Sequence, residues 1–211
     1  MCGIAGIIGS IQPDKNILNK LLESIPHRGP DHRGFFYDNK IIFGMNRLSI
    51  IDLKNGNQPI ESDNGRFVII FNGEIYNHKE LKREIETKYI FKTNSDTEVI
   101  LAGFSLFGKD FFKRLNGIFV IALWDKLKKK LTLSRDPRGI KPLYYGKKEN
   151  FIYFSSEVKS FINSNIFQDV DHNSLQQFLS AGYVFNNSSS LKDVKQLNPG
   201  ETIEIIENNI V

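Results

Sequence analysis

Apolar and polar positions along this chain change period several times, and each change marks an element. Residues 3–9 form an uninterrupted apolar run with glycines at 3, 6 and 9, the pattern of a buried strand that lets other backbone approach closely. Leu18, Leu21, Leu22 and Ile25 then recur at helical spacing between Pro13-Asp14 and Pro26, predicting an amphipathic helix of about three turns. The stretch 27–34 is too rich in glycine, proline and charge for a regular element and reads as a functional loop or a connector. Strand-like runs follow at 35–37, 41–45 and 48–51, and Asp63-Asn64-Gly65 predicts a hairpin turn. Residues 67–71 are apolar throughout, a strand covered on both faces, ending abruptly at Asn72-Gly73-Glu74. Asn77 with Glu80, and Ser95 with Glu98, match the capping-box pattern. Leu81, Ile85 and Tyr89 stripe the first of the two helices, and Val99, Ile100, Phe104 and Phe107 the second.

Strands at 118–124 and 131–133 flank a lysine-rich turn, residues 136–142 are irregular, and 151–154 is a strand leading to a short helix near Val158. A helix over 174–179 should turn Leu175, Phe178 and Leu179 inward before Gly182, and a turn at 197–200 leads into a strand at 202–206. No internal repeat occurs. Strands grouped apart from helices predict an α+β fold, and a layered αββα arrangement fits that grouping.

Composition narrows the class. With 211 residues, 40% hydrophobic and 25% charged, the chain is one generous domain or two small ones and can bury a sizeable core. Its apolar runs fall well short of the roughly 18 residues that span a bilayer, and a single cysteine cannot form an internal disulfide, so a cytoplasmic location is expected. The net charge is +4, but the basic residues are dispersed apart from a cluster at 126–130, which reads as a solvated hairpin turn. Neither a nucleic-acid nor a membrane partner is expected, and no cluster has metal-ligand spacing.

The one cysteine directly follows the initiator methionine. Removal of Met1 would make Cys2 the first residue, placing a thiol and an α-amine on the same residue. With ordinary pKa values of about 8.5 for a thiol and 7.7 to 8.0 for an N-terminal amine, the amine can take the thiol proton near neutral pH. The same stretch equally fits an ordinary N-terminal strand whose cysteine is an inert small hydrophobe. A signal peptide does not fit, since no basic segment precedes the apolar run and no cleavage-like site follows.

Seven stretches in order then resemble the class II glutamine amidotransferase domain, specifically the glutaminase half of asparagine synthetases. They are Cys2-Gly3-Ile4-Ala5-Gly6, His27-Arg28-Gly29-Pro30-Asp31, Arg47 to Leu53, Phe71 to Asn77, Ser95-Asp96-Thr97-Glu98, Asp136 to Tyr145, and Ser155-Ser156-Glu157-Val158-Lys159. The third and fourth stretches, Arg47 to Leu53 and Phe71 to Asn77, favour the asparagine synthetase branch over related sugar-phosphate and phosphoribosylamine synthases. The resemblance implies one glutamine amidotransferase domain over 1–211 with an N-terminal nucleophile hydrolase fold, two antiparallel sheets stacked between helices.

It also implies roles. Cys2 is the nucleophile toward the glutamine side-chain amide, with its own amine as base, and the Asn72 amide and Gly73 N–H hold the oxyanion. Arg47 grips the α-carboxylate, backbone groups of Leu48 and Ile50 complete that clamp, and Asp96 assisted by Glu74 takes the ammonium. His27 and Arg28 line the pocket or its covering loop, and Asp136, Arg138 and Lys141 hold the fold. His32-Arg33 and Pro137-Arg138 depart from the family pattern. Glutamine and a synthetase domain or subunit that receives ammonia are the implied partners, with a homodimer as one assembly.

No Ser-Gly-Gly-x-Asp-Ser phosphate loop and no Walker-type loop occur in these residues. The domain itself therefore needs no cofactor, and ATP and Mg are expected only for a synthetase domain outside this stretch, whose acceptor is aspartate or a sugar acid. A glutamine-sensing or scaffolding module that kept the fold without catalysis is the other function class.

Overall fold

The period-two alternation within the strands generates the layers. A computed structural model describes all residues 1–211. In chain order its elements are β1 (Gly3–Gly9), α1 (Lys15–Glu23), β2 (His32–Tyr37), β3 (Ile41–Arg47), β4 (Ile60–Glu61), β5 (Phe67–Ile75), α2 (His78–Ile85), α3 (Asp96–Phe107), β6 (Gly117–Asp125) and β7 (Lys130–Arg135). There follow β8 (Tyr144–Lys148), β9 (Phe151–Ser155), α4 (Lys159–Asn163), α5 (His172–Ala181), β10 (Val194–Gln196), β11 (Thr202–Ile206) and β12 (Asn209–Ile210). One sheet has the order β10-β8-β9-β1-β3-β2 and the other β12-β11-β7-β6-β5-β4, with antiparallel pairing throughout.

Successive side chains of a strand point to opposite faces, so each central strand feeds two cores. Ile4 and Ile8 of β1, Phe43 and Met45 of β3, Val68 and Ile70 of β5, and Val120, Ala122 and Trp124 of β6 fill the space between the sheets. The alternate residues Phe67, Ile69 and Phe71, with Ile121 and Leu123, pack outward on Leu81 of α2 and on Val99, Ile100 and Phe104 of α3. On the far side Ala5, Ile7 and Ile42 meet Leu18, Leu21 and Leu22 of α1 and Phe161 of α4. The result is the expected four-layer αββα sandwich.

Several elements differ from the sequence pattern. Residues 48–51 form no strand; with the residues to 59 they make an irregular loop. The strand beginning at Phe67 does not stop at Asn72 but keeps its pairing with β6 as far as Ile75↔Gly117. Asn77 does not cap α2 with its side chain, because its amide bridges the Arg114 carbonyl and the Asn116 N–H. Ser95 does cap α3, while Glu98 reaches back to the N–H groups of Lys92 and Thr93. In α5, Leu175, Phe178 and Leu179 are exposed and only Ser174 is buried. β8 and β10 arise where no strand was predicted. His32 and Arg33 open β2, with Arg33 Nε donating to Asn46 Oδ1 at 2.8 Å. No helix is long and apolar enough to cross a membrane.

Candidate active site

The inward stripes of three strands, continued by one step, converge on one cleft. Cys2 follows the parity of Ile4 and Ile8, Arg47 that of Phe43 and Met45, and Asn72 that of Val68 and Ile70. All three therefore face the space between the sheets, at the end where it opens. The cleft is lined by Cys2, Arg47, Leu48, Ile50, Asn72, Gly73, Glu74 and Asp96, together with Met1, Gln58, Thr97 and Lys141 among others. The structure thus brings together all eight residues singled out for catalysis or substrate binding.

Cys2 is fixed through both its backbone and its thiol. Arg28, in the short 3-10 turn Pro26–Arg28, donates from Nε to the Cys2 carbonyl at 3.0 Å and from Nη1 to Glu157 at 2.9 Å. The Leu48 N–H lies 3.4 Å from Cys2 Sγ. Burial pushes the Cys2 thiol up from its ordinary pKa, against the Leu48 hydrogen bond, the N-terminal ammonium, Arg47 and Lys141, which favour the thiolate. Against the upward push of burial, hydrogen bonds from Arg28 and His27 hold the Glu157 carboxyl below its ordinary value. His27 and Arg28 do not line the cleft; they stand behind Cys2, His27 half-exposed with Nε2 2.8 Å from Glu157.

The β5 edge supplies N–H groups. Lys126 donates to the Arg66 carbonyl and Tyr76 to the Asn116 carbonyl at either end of the β5–β6 pairing. In an antiparallel ladder this directs even-numbered residues of β5 toward β6 and odd-numbered ones toward the opposite edge. That edge is covered by β4 only at Ile60↔Ile69 and Glu61↔Val68. Beyond it, the Phe71 N–H donates to Gln58 Oε1 at 2.6 Å and the Ile75 N–H to Asp96 Oδ2 at 3.0 Å. No such acceptor stands opposite the Gly73 N–H between them. Beside it, the Asn72 amide nitrogen is buried and has no hydrogen-bond partner. Buried donors are nearly always paired, so an unpaired Asn72 amide beside the open Gly73 N–H, in the cleft that also holds the Cys2 thiol, suits an anion.

Charges frame the rest. Asp96, 3% exposed, is the first residue of α3. Burial raises its carboxyl above the usual range, against the Ile75 N–H, and no lysine or arginine pairs with it. A cation in the cleft would meet that need. Arg47 is also buried, but its Nη1 donates to Ser49 Oγ and Asn57 Oδ1, and its Nη2 to the carbonyls of Ile51 and Asp52, at 2.8 to 3.0 Å. Its guanidinium thus organises the loop that forms one wall, through acceptors that are all neutral. Leu48 presents its backbone to Cys2, and Ile50 and Glu74 lie exposed at the mouth. Gln58, Arg28 and Lys141 were not singled out as site residues. From the stretches that carry the resemblance, Arg28 was expected with His27 to line the pocket or its covering loop and Lys141 to hold the fold, while Gln58 had no signal.

Comparison with known proteins accords with this geometry. The family model described as glutamine amidotransferase domain matches residues 1–211. The chain is 39% identical over 211 residues to asparagine synthetase [glutamine-hydrolyzing] 1 of Bacillus subtilis, covering 97% of this chain and 33% of that protein. It is 44% identical over 168 residues to asparagine synthetase [glutamine-hydrolyzing] 2 of the same organism, covering 77% and 22%. It thus spans a third or less of the length of these two relatives. Among solved structures, a glutamine phosphoribosylpyrophosphate amidotransferase from B. subtilis matches the fold with a TM-score of 0.74 at 20% identity, over 100% of this chain and 48% of that one. The two share a fold, and with a family model matched from the first residue to the last, this chain belongs to the glutamine amidotransferase domain family.

Proposed function

We propose that this domain releases ammonia from glutamine through Cys2 for use by a synthetase domain. The observation that supports it most directly is the position of two unpartnered donors, the Asn72 amide and the Gly73 N–H, in the same cleft as the chain's one thiol. With Met1 removed, the Cys2 amine takes the thiol proton as sulfur attacks the glutamine side-chain carbonyl carbon. The carbonyl oxygen becomes negative between Asn72 Nδ2 and Gly73 N–H. Collapse expels ammonia, which receives the proton held by the amine, and leaves a thioester on Cys2. A water deprotonated by the same amine then attacks the thioester, and glutamate departs as the thiol re-forms.

The other groups select the amino acid. Asp96 takes the ammonium, with Glu74 adding negative charge at the mouth. A carboxylate approaching Arg47 would replace neutral acceptors by a charged one, a stronger pairing for a guanidinium, with the Leu48 and Ile50 backbone beside it. The ammonia acceptor lies outside these residues; aspartate is the choice favoured by the similarity to asparagine synthetases, and ATP and Mg belong to that acceptor half.

Incubating chain shown by intact mass to lack Met1 with glutamine, and assaying glutamate, tests the reaction. Glutamate should form, and Cys2→Ala should abolish it with the fold unchanged. Glutamine binding without glutamate would instead make this a binding module.

A further inference from the structure

One buried cation in the cleft has no part in the chemistry above. Lys141 is 7% exposed and lines the same cleft as Cys2. Its ammonium forms no salt bridge, and its hydrogen bond runs to the Met1 thioether, Nζ to Sδ 2.9 Å. Yet its backbone is held unusually firmly. The fully buried Asp136 carboxylate accepts the N–H groups of Arg138, Ile140 and Lys141, and that of Phe119 in β6. The Arg135 guanidinium donates to the carbonyls of Gly139, Lys141 and Leu197. Packing alone would be served by leucine or methionine here, since an ammonium without a counter-ion is costly to bury. Burial, and after it the nearby Arg28 charge, pushes the Lys141 ammonium below its ordinary pKa.

We propose that Lys141 is a positioning residue for Cys2, its ammonium favouring the thiolate and the neutral α-amine once Met1 and its thioether are gone. A positive charge beside both groups disfavours the ammonium and favours the thiolate, so the two effects act in the direction the attack requires. The other charged groups around Cys2 are already committed. Arg28, from the 3-10 turn, is balanced by Glu157, which also holds His27 and Lys159 on its outer side. Arg47, from the end of β3, is bound to the loop after it. Glu74 on β5 and Asp96 on α3 are the acids across the cleft, and Asp136 lies beneath the Lys141 backbone. Lys141 is the cation whose charged end remains free.

The inference rests on Cys2 being the reactive group but not on turnover, so it can be tested without glutamine. Wild type, Lys141→Met, Lys141→Gln and Lys141→Arg, each lacking Met1, would be treated with iodoacetamide across about pH 5 to 10, and Cys2 alkylation followed by intact mass. Lys141→Met and Lys141→Gln should raise the midpoint by about one pH unit and slow alkylation at neutral pH roughly tenfold, and Lys141→Arg should restore most of the rate. In parallel, the acidic limb of kcat/KM for glutamine should move up by a similar amount with KM nearly unchanged. An unshifted alkylation midpoint in either neutral variant that keeps the wild-type circular dichroism would overturn the inference. A shifted midpoint in a chain that releases no glutamate would uphold Lys141 and defeat the glutaminase reading instead.

Discussion

Asn72 is buried at 1% exposure with its amide nitrogen unpaired, which gives it a role that its backbone neighbours do not share. Asn72→Ala removes one oxyanion donor and leaves the β5 ladder intact, so kcat should fall ~10² to 10³-fold, about 3 kcal/mol, with little change in melting temperature. A turnover number equal to wild type would place the oxyanion elsewhere. Asp96 gives the opposite combination. Its carboxyl is raised by burial in the folded chain, so the folded state holds the proton more tightly than the unfolded state does. Ionised Asp96 therefore weakens the fold at pH values above its raised value, and the penalty disappears below the unfolded value, near pH 4. Asp96→Asn keeps an oxygen for the Ile75 N–H and should raise the melting temperature at pH 7 by roughly 2 to 4 °C per kcal/mol relieved. That gain should vanish at about pH 4. Glutamine KM should rise in the same variant; a lowered melting temperature at pH 7 would show that the charge is compensated. At this scale the cysteine was legible from its place after Met1, and the Asn-Gly pair and the acids through the resemblance that joins them, since singly each fits an ordinary turn or helix start. The contacts of Lys141, Arg28 and Gln58 were not, because what they touch lies 13 to 140 residues away along the chain.

The central strands were legible as elements because cores on both faces make them continuous apolar runs, and the helices because one face of each is apolar. Their ends were not. Asn-Gly after an apolar run is the strongest hairpin signal, yet here the strand continues through it. What the sequence pattern could not show is that β6 runs beside Gly73 so closely that a side chain would not fit. A Cβ built there lies 2.1 Å from the Ile118 carbonyl oxygen and 2.7 Å from Phe119 Cα, both backbone atoms. Gly73→Ala should therefore force β5 and β6 apart, lowering the melting temperature as well as the turnover. Comparison with Asn72→Ala separates the two roles, and a Gly73→Ala chain of wild-type stability would contradict the close pairing. α5 failed for another reason. Periodicity shows that a helix has an apolar face but not what covers it, and Phe178 and Leu179 remain exposed at 54% and 76%.

At the scale of the molecule, the fold was legible as strands grouped apart from helices, while the pairing of the sheets depends on contacts no local pattern encodes. β1 at the centre of one sheet and β5 toward the edge of the other set Cys2 opposite Asn72, so the reaction needs the whole sandwich. The hydrolysis proposed above draws on residues of this sandwich alone. Making an amide is different, since a carboxylate acceptor must first be activated, by ATP cleavage at a phosphate-cradling loop with Mg²⁺. These 211 residues contain no Ser-Gly-Gly-x-Asp-Ser stretch and no Walker-type loop, and the chain spans 33% of a relative named as an asparagine synthetase. Given glutamine, aspartate and Mg-ATP, the purified 211-residue chain should release glutamate and free ammonia at the same rate as with glutamine alone. It should form neither asparagine nor pyrophosphate, because the ammonia leaves the open cleft for solvent. Pyrophosphate appearing in step with asparagine would mean that the acceptor chemistry resides in this sandwich after all.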